Sequence, residues 1–336
     1  MNFIDKKEFK IPEATVLSIG KFDGEHRGHK KLFKKMQEIA TTKSLKLAIF
    51  TFDTAPINIL KTNTLVYTQI STNLEKRAYF EKIGIDYLVE YPFDKEFSMY
   101  RATDFVKDIL IAKMNMKAIV VGEDCAFGYK KSGDLNLLKR LSKVYNYEVY
   151  PIKKEVDALN RDISSSLIKQ LILKGDISMA NELLGYNYSI FGKVVHGNKI
   201  ASQVLKSPTA NIFVFDEKTL PKFGVYATSI KLEGSSKTYL GLSNVGTNPT
   251  VKNDKENHKA RIESYIYDFD EDIYEQEITI SFIEFIREQR KFASLEELKT
   301  QIEKDKAEVY NKYGKQYDQG GRADEWQRVE EMNPGT

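Results

Sequence analysis

The sequence has little cysteine and no long apolar run. Its 336 residues include one cysteine, Cys125, which cannot form an internal disulfide. No stretch approaches the roughly 18 consecutive apolar residues of a membrane-spanning helix, and the first residues lack the apolar segment of a secretory signal. We therefore expect a cytoplasmic protein with neither a structural disulfide nor a membrane-spanning helix.

A strong charge of one sign is also absent. The 51 basic and 48 acidic residues leave a net charge of +3. The lysine pairs at 30–31 and 34–35 are typical of a solvent-exposed helix face, so the composition gives no indication of a nucleic-acid partner. It leaves the oligomeric state open.

Two common nucleotide-binding motifs are missing. Neither G-x-x-x-x-G-K-[ST] nor G-x-G-x-x-G occurs anywhere in the chain. A P-loop kinase and a dinucleotide-binding oxidoreductase are therefore both disfavoured. Any nucleotide that this chain binds must be held in another way.

Hydrophobic patterns divide the chain into two parts. In the first, apolar strands alternate with helical patterns at 74–83 and 103–113, which predicts an α/β domain over 1–185 with a parallel sheet. Two further helices, at 165–173 and 177–184, precede the boundary near Gly185. Ligands of such domains bind beyond the carboxyl ends of the strands. The strands are predicted at 15–19, 46–52, 87–90, 117–122 and 148–152.

The second part, 186–315, has strand-like patterns separated by turns, which predict an all-β domain formed by an antiparallel barrel. A helix from Leu295 closes it, with Ser294 and Glu297 as a capping box. Residues 316–336 contain no lysine and hold the only tryptophan, and we expect a disordered or appended tail there. The strands of the barrel are predicted at 189–196, 211–215, 224–232, 238–243, 262–269 and 277–286.

The most informative segment, residues 20–29, reads GKFDGEHRGH. It joins the predicted strand 15–19 to a helical pattern at 30–40 and places His26 and His29 three residues apart. Glycines let the backbone approach a ligand, and a helix N-terminus attracts phosphate, to which imidazoles can donate hydrogen bonds. Nucleotidyl transfer needs mainly in-line positioning and charge neutralisation. The alternatives are a zinc site and a packing or capping role for the two histidines.

This segment resembles the phosphate-binding motif of bacterial bifunctional riboflavin kinase/FMN adenylyltransferases, the FAD synthetase family. A second match, ISSSLIK at 163–169, is similar to the family's I-S-S-T-x-I-R, with hydroxyls at a helix start and a cation one turn later. The resemblance covers residues 15 to about 310. It implies a Rossmann-like nucleotidyltransferase domain followed by a flavokinase barrel. Lys169 replaces the family's arginine and loses its bidentate grip on phosphate.

The flavin side of the first domain departs from the family. Residues 122–128 read GEDCAFG, which match the family's D-F-R-F-G at Asp124, Phe127 and Gly128 only. A family P-H-P is reduced to Pro56. Phe127 can pack against an isoalloxazine ring or belong to the core, and the sequence leaves both interpretations open.

The second domain carries SPTAN at 207–211, which resembles the flavokinase P-T-A-N motif. Pro208 fixes the approach of the chain, while Thr209 and Asn211 supply hard oxygen donors suited to Mg²⁺. A further match is GLSNVGTNPT at 241–250, which contains Asn244.

Glu263 lies in the predicted strand 262–269. Alternation places it on one face with Tyr265, Tyr267 and Phe269, and partial desolvation there should raise its pKa toward that of a general base. Such a base would accept the proton of the riboflavin 5′-hydroxyl. The alternative is an exposed glutamate on an edge strand.

One departure bears on the kinase reaction. Residues 202–207 read SQVLKS, whereas the family has a glycine-rich G-R-x-L-G-F that closes over ATP. Both glycines and the arginine are lost, which restricts the backbone and removes a phosphate clamp. Either the kinase reaction is slow or the loop closes differently, with Lys206 as a replacement charge.

The leading hypothesis is a bifunctional enzyme that phosphorylates riboflavin to FMN and adenylylates FMN to FAD, using ATP and Mg²⁺. The resemblance assigns catalysis to His26, His29 and Glu263, and Mg²⁺ binding to Thr209 and Asn211. The alternatives are an adenylyltransferase with a degenerate kinase domain, and a non-catalytic flavin- or nucleotide-binding regulator. The residues assigned to ATP and flavin binding are Gly20, Phe22, Asp23, Gly24, Gly28, Asp124, Phe127, Gly128, Ser164, Ser165, Ser166, Lys169, Pro208, Thr209, Asn211, Asn244 and Arg287.

Overall fold

The computed structural model describes residues 1–53, 68–196, 209–247 and 260–317. The chain divides into two compact units, Met1–Ser165 and Ser166–Thr336. The helices predicted before Gly185 therefore fall almost entirely in the second unit, where the amide of Asn181 donates a hydrogen bond to the carbonyl of Phe282. The domain boundary at Gly185 rests on the change of sequence pattern and stays a prediction.

The first unit is built on a six-stranded parallel sheet, as the alternation of strands and helices predicts. The strand order is β1-β4-β3-β2-β5-β6, so β2 lies in the interior of the sheet between β3 and β5. Strand β1 has three residues and a mostly exposed pattern, which is why no apolar run indicates it. The strands are β1 Asn2–Ile4, β2 Thr15–Ile19, β3 Lys46–Phe52, β4 Tyr87–Tyr91, β5 Met116–Gly122 and β6 Glu148–Ile152.

Helices connect these strands. Helix α1, Arg27–Lys43, buries an apolar stripe that includes Phe33 and Met36, and it begins three residues before the predicted start. Helix α2 is Asn73–Lys82, and helix α4 is Leu135–Tyr145. The predicted helix 103–113 is helix α3, which is a short α-helical turn, Ala102–Asp104, followed by a π-helical segment, Phe105–Ile111. The early start of α1 places the end of the 20–29 motif in its first turn.

The second unit is a closed antiparallel barrel, as predicted, with the strand order β10-β11-β8-β7-β12-β9. Helices α5, Ser165–Lys174, and α6, Ile177–Leu184, precede it, and helix α7, Leu295–Tyr313, follows it. No helix in the described ranges is long and apolar enough to cross a membrane. The barrel strands are β7 Ser189–Val195, β8 Thr209–Phe213, β9 Gly224–Leu232, β10 Thr238–Thr247, β11 Ala260–Ile266 and β12 Glu277–Glu288.

The start of helix α7 is capped nearly as predicted. The hydroxyl of Ser294 accepts a hydrogen bond from the backbone N–H of Glu297, at 3.1 Å. The Glu297 carboxylate accepts from the N–H of Ala293, one residue before the position that a capping box uses. The helix therefore begins at the residue that the sequence indicates.

The two faces of the barrel strands differ in character. Ile262 and Ser264 of β11 are fully buried, and the Ser264 hydroxyl is hydrogen-bonded to that of Ser243, at 2.7 Å. A separate apolar cluster forms where Val309 of α7 meets Leu240 and Leu242. Tyr317 packs against this cluster, and the rest of the predicted tail, 318–336, lies outside the described residues. The residues beside Glu263 on its strand thus divide between an interior face and an outer face.

Candidate active sites

The histidine segment forms a tight turn at the carboxyl end of β2. The N–H of Gly20 donates to the carbonyl of Phe50 at 3.1 Å, and Phe22, Gly24 and Glu25 all have positive φ. Gly24 has φ of 87°, and a Cβ there would lie 2.9 Å from the side chain of Ile70. Glycine is required at this position because both its φ and its surroundings exclude a side chain.

Two of the residues assigned to binding hold the turn in place. The ring of Phe22 is buried against His29, Phe33 and Phe80. The Asp23 carboxylate accepts hydrogen bonds from the backbone N–H groups of residues 70 and 71, at 2.7 and 3.1 Å. Both residues therefore shape the backbone of the site.

The two histidines lie together at the start of helix α1. Their rings stack with centroids 3.8 Å apart, and His26 is the N-cap residue of the helix, although its side chain makes no capping bond. Burial lowers the pKa of His26 to about 4, and burial together with the neighbouring His26 lowers the pKa of His29 well below its usual value. Both imidazoles are therefore neutral at pH 7, so each carries one N–H donor.

The nitrogen atoms of this pair have spare hydrogen-bonding capacity. Within the part of the chain that the structure describes, the buried Nδ1 atoms of His26 and His29 have no hydrogen-bond partner. Unsatisfied buried polar atoms are costly, so these nitrogen atoms would gain from a hydrogen bond to a ligand. Among residues 1–53, 68–196, 209–247 and 260–317, no three His, Cys, Asp or Glu side chains are grouped to hold a metal ion, which gives the zinc alternative no support.

A buried carboxylate next to the histidines is not indicated by the sequence motif. The Ser71 hydroxyl donates to Glu25 at 2.7 Å, and Ser71 also donates its backbone N–H to Asp23. Burial raises the pKa of Glu25 to about 8, with smaller contributions from Asp23 and Glu75, while Ser71 and Lys76 act in the opposite direction. The motif does not indicate this environment, because the hydrogen-bond partner of Glu25, Ser71, lies 46 positions further along the chain.

The second half of the predicted nucleotide site begins helix α5. The hydroxyl of Ser165 donates to the carbonyl oxygen of Asp23 at 2.7 Å, which brings the helix start to the histidine turn. Ser164 is half-buried beside it in the first unit. Ser166 and Lys169 follow in the helix and belong to the second unit. The Ser165 hydroxyl, which is predicted to contact phosphate, is thus already hydrogen-bonded to the turn.

Other cations at this end of the sheet were not singled out by sequence reasoning. Burial lowers the pKa of Lys21, and it also lowers the pKa of Lys30 in the first turn of α1. Arg27 pairs with Glu155 at 3.1 Å. Because these basic residues lie inside or next to the 20–29 motif, their position in the sequence could have marked them as candidate phosphate-binding residues.

The segment 122–128 follows strand β5. Asp124 is exposed and pairs with Lys154 at 3.1 Å, and Gly128 has φ of 70° with the backbone of Ala102 close to it. The ring of Phe127 packs against Phe105, with centroids 5.8 Å apart, at the border of the apolar core. This packing favours the core interpretation of Phe127, although the ring stays partly exposed.

The residues that the sequence assigns to the kinase reaction meet on the outer face of the barrel. Strand register places Glu263 of β11 directly between Asn211 of β8 and Asn244 of β10. The Thr209 hydroxyl donates to the Glu263 carboxylate at 3.1 Å, and the Asn211 amide nitrogen donates to the carbonyl of Thr209 at 3.2 Å. Asn211, Glu263 and Asn244 thus form one row across three adjacent strands, and Thr209 lies in the neighbouring row, opposite Tyr265. Pro208, the loop 202–207, Pro56 and residues 248–250 lie outside the described residues.

The predicted environment of Glu263 is confirmed in its main point. Burial raises its pKa, while the Thr209 hydrogen bond and the charge of Arg261 lower it. Strand β11 ends at Ile266, so the prediction of a strand to residue 269 was too long. Tyr265 remains on the same face as Glu263, whereas Phe269 packs against Tyr239 beyond the strand. A partly desolvated carboxylate at this position suits proton transfer.

Two other residues at the end of β12 border this row. Arg287 donates through Nε and Nη2 to the buried Asp305 of helix α7, at 2.8 and 2.7 Å. Gln289 donates to the side-chain oxygen of Asn244 at 2.9 Å. The guanidinium assigned to ligand binding thus ties the last helix to the barrel, and Gln289, which sequence reasoning missed, orients Asn244.

The donor set on β8 fits a hard divalent cation. The Asn211 nitrogen is hydrogen-bonded within its strand, and the amide oxygen and the Thr209 hydroxyl oxygen are the kinds of donor that a hard cation prefers. Neutral oxygen donors of this kind hold Mg²⁺ jointly with the phosphates of a substrate. The residues present therefore fit a metal–ATP complex.

Comparison with known proteins places both units. Residues 8–167 match the family model for FAD synthetase, and residues 184–313 match the model for riboflavin kinase. The chain is 35% identical over 305 residues to the bifunctional riboflavin kinase/FMN adenylyltransferase of Buchnera aphidicola subsp. Schizaphis graminum. This match covers 90% of this chain and 95% of that protein. It is 35% identical to the protein of that name from Listeria monocytogenes, over 88% of this chain and 91% of that one.

A solved structure has the same fold throughout. It is titled as a macrolide-efflux protein from Streptococcus pneumoniae, and it superposes with a TM-score of 0.82 at 29% identity, covering 93% of this chain and 99% of its own. An α/β nucleotidyltransferase unit joined to a flavokinase barrel defines a two-activity flavin enzyme. The chain belongs to the family of bifunctional riboflavin kinase/FMN adenylyltransferases. The two activities use ATP with a divalent cation.

Proposed function

We propose that this chain converts riboflavin to FMN in its barrel and FMN to FAD in its α/β unit, with the residue roles given below. The observation that carries the proposal is the pairing of two separate constellations. One is the neutral, buried histidine pair at a helix start, and the other is the Thr209–Asn211–Glu263 group on the barrel. Each matches the chemistry of one of the two family models.

In the adenylyl transfer, a phosphate oxygen of FMN attacks the α-phosphorus of ATP, the bond to the bridging oxygen breaks, and pyrophosphate leaves. His26 and His29 donate hydrogen bonds to the ATP phosphates from the one N–H that each neutral, buried ring keeps. The turn at Gly20 and Gly24 allows close backbone approach. Ser165 and Lys169 contact the leaving pyrophosphate. Positioning and hydrogen bonding are sufficient because no covalent intermediate is needed.

In the kinase reaction, Glu263 accepts the proton of the riboflavin 5′-hydroxyl as that oxygen attacks the γ-phosphorus of ATP. Its raised pKa makes it a better proton acceptor than an exposed glutamate. Thr209 and Asn211 hold the cation, which we propose is Mg²⁺ and which supplies charge neutralisation on the phosphates when bound. The Thr209 hydroxyl also orients the base.

The altered loop at 202–207 favours one second candidate. An adenylyltransferase with a degenerate kinase barrel would lack the glycines and arginine that close over ATP, as this chain does. Glu263 lies in a partly desolvated row with Asn211 and Asn244. This arrangement supports an active kinase, since a degenerate barrel has no need of a base there. The single cysteine agrees with a cytoplasmic enzyme.

Chromatographic separation of flavins tests the proposal directly. Purified protein is incubated with Mg²⁺ and ATP, in parallel with riboflavin or with FMN. We expect riboflavin to give FMN and FAD, and FMN to give FAD. Conversion of FMN alone would replace the proposal with the adenylyltransferase candidate, and binding of ATP without turnover of either flavin would make the protein a regulator. Omission of the divalent cation should stop both reactions.

A further inference from the structure

Arg261 lies beside the proposed base and has no assigned role. It is two residues before Glu263 on strand β11, and the residue between them, Ile262, is fully buried. Alternation along a strand therefore places Arg261 and Glu263 on the same outer face, with their Cα atoms about 7 Å apart. The next row of the sheet pairs Arg261 with Phe213 on one side and Gly246 on the other.

The guanidinium of Arg261 is fixed in position. It lies over the ring of Phe213, with 4.5 Å between the guanidinium carbon and the ring centroid. Stacking on an aromatic face orients the planar guanidinium and limits its rotamers. The Arg261 side chain is thus held on the same face of the barrel as Thr209, Asn211 and Glu263.

One donor of this group is buried and unused. Among the described residues, the Nε of Arg261 has no hydrogen-bond partner. By contrast, the Nε and Nη2 atoms of Arg287 both contact the carboxylate of Asp305. A preorganised guanidinium with a buried unsatisfied donor next to a general base is an arrangement suited to an anionic ligand.

The kinase reaction requires positive charge at this place. Negative charge accumulates on the oxygen atoms around the γ-phosphorus as the phosphoryl group transfers, and a fixed guanidinium stabilises it. Residues 202–207 contain no arginine, so that segment does not supply one. We propose that Arg261 is a catalytic residue of the kinase step that binds the transferring phosphoryl group of ATP. This inference rests on the proposed kinase function of the barrel.

The bond changes define what Arg261 does. The 5′-oxygen of riboflavin forms a bond to the γ-phosphorus, the bond from that phosphorus to the β,γ-bridging oxygen breaks, and ADP leaves. The hydroxyl proton passes to Glu263. Arg261 donates hydrogen bonds to the γ-phosphoryl oxygen atoms and neither gains nor loses a proton, because a guanidinium stays protonated.

Substitution at Arg261 tests the proposal in the full-length protein. Arg261→Met keeps an unbranched apolar side chain over Phe213 but removes the charge, and we expect kcat for FMN formation to fall about 10²- to 10³-fold with the Kd for riboflavin unchanged. Arg261→Lys keeps a charge without the planar fork and should give an intermediate rate. Lys237→Met removes a cation from a similar position 4.4 Å over the ring of Tyr239 and should leave the rate unchanged.

Three readouts separate the possible outcomes. Conversion of FMN to FAD by the same Arg261→Met sample shows that the protein is folded and active. A kcat within about twofold of wild type, or a loss that appears only as weaker riboflavin binding, would overturn the inference. If raising or lowering the pH restores the rate, Arg261 acts only through the ionisation of Glu263 and the inference is wrong. Absence of FMN formation by the wild-type chain would refute the proposed kinase function itself.

Discussion

The imidazole rings of His26 and His29 stack with their centroids 3.8 Å apart at the first turn of helix α1. Stacking of two cationic rings in a buried site would be strongly unfavourable, so this geometry agrees with two neutral imidazoles. In the proposed role, the neutral pair donates hydrogen bonds to the ATP phosphates, and cations neutralise the charge of the phosphates. This division of roles leads to separate predictions for the histidines.

Replacement of His29 should remove one activity and leave the other. In His29→Ala we expect the rate of FAD formation from FMN to fall at least about 10²-fold, because a preorganised donor to the ATP phosphates is lost. FMN formation from riboflavin should be unchanged, since it takes place in the barrel. His196→Ala is the control, because His196 is exposed in the second unit and contacts Tyr274. Normal FAD formation by His29→Ala would make the assignment wrong.

The pH dependence of FAD formation follows from the lowered pKa values. A histidine with its usual pKa of 6.5 would gain a proton as the pH falls from 8 to 6, whereas His26, with a pKa of about 4, stays neutral over that range. The rate of FAD formation at saturating substrate should therefore show no titration near pH 6.5 that originates from these histidines. An inflection at that pH that disappears in His26→Ala or His29→Ala would contradict the buried, neutral pair.

Because Glu25 is buried, we expect the difference in stability between wild type and Glu25→Gln to depend on pH. Its pKa is raised from 4.5 to about 8, so between these values the folded chain retains a proton that the unfolded chain has lost. Stability then falls as the pH rises through this window, and the full penalty is present above about pH 8. Glu25→Gln removes the penalty, and each unit of pKa shift corresponds to about 1.4 kcal/mol.

We expect Glu25→Gln to be at least about 2 kcal/mol more stable relative to wild type at pH 8.5 than at pH 4.5. Denaturant unfolding at the two pH values measures this difference. The lowered pKa values of the histidines act in both proteins and cancel in the comparison. Equal differences at both pH values would show that the Glu25 carboxylate ionises normally.

Glu263 should be essential for the kinase reaction alone. Glu263→Gln keeps the shape of the side chain and a hydrogen-bond acceptor for Thr209 but cannot take a proton, so kcat for FMN formation should fall by about 10²- to 10⁴-fold. FAD formation from FMN should not change. Glu275→Gln is a matched control, since Glu275 is an exposed barrel glutamate paired with Lys193. Retention of full kinase activity by Glu263→Gln would remove Glu263 as the base.

The local features of both sites could be predicted from the sequence, whereas the contacts between distant segments could not. Period-two alternation correctly placed Glu263 and Tyr265 on one face, because that depends only on neighbouring residues. It could not show that Glu263 lies between Asn211 and Asn244, because the register joins strands 52 and 19 positions away. Likewise, it could not show that Glu25 is hydrogen-bonded to Ser71, which lies 46 positions away. Contacts between distant segments are set by packing, which a local pattern does not contain.

The pairing of Arg287 with Asp305 suggests a structural role for Arg287, and substitutions of the two residues distinguish it from a role in ligand binding. If the guanidinium serves to tie helix α7 to the barrel, Asp305→Ala leaves its charge without a partner, and we expect the barrel to lose about 3 kcal/mol of stability. Arg287→Met should also destabilise the barrel, since it removes both guanidinium contacts to the buried Asp305 and leaves the hydrogen bond from Gln301. At a temperature where both variants are folded, kcat and KM for FMN formation should stay near wild type. A large rise in the KM for ATP or riboflavin in Arg287→Met, with normal stability, would instead make Arg287 a ligand-binding residue, as the sequence resemblance implies.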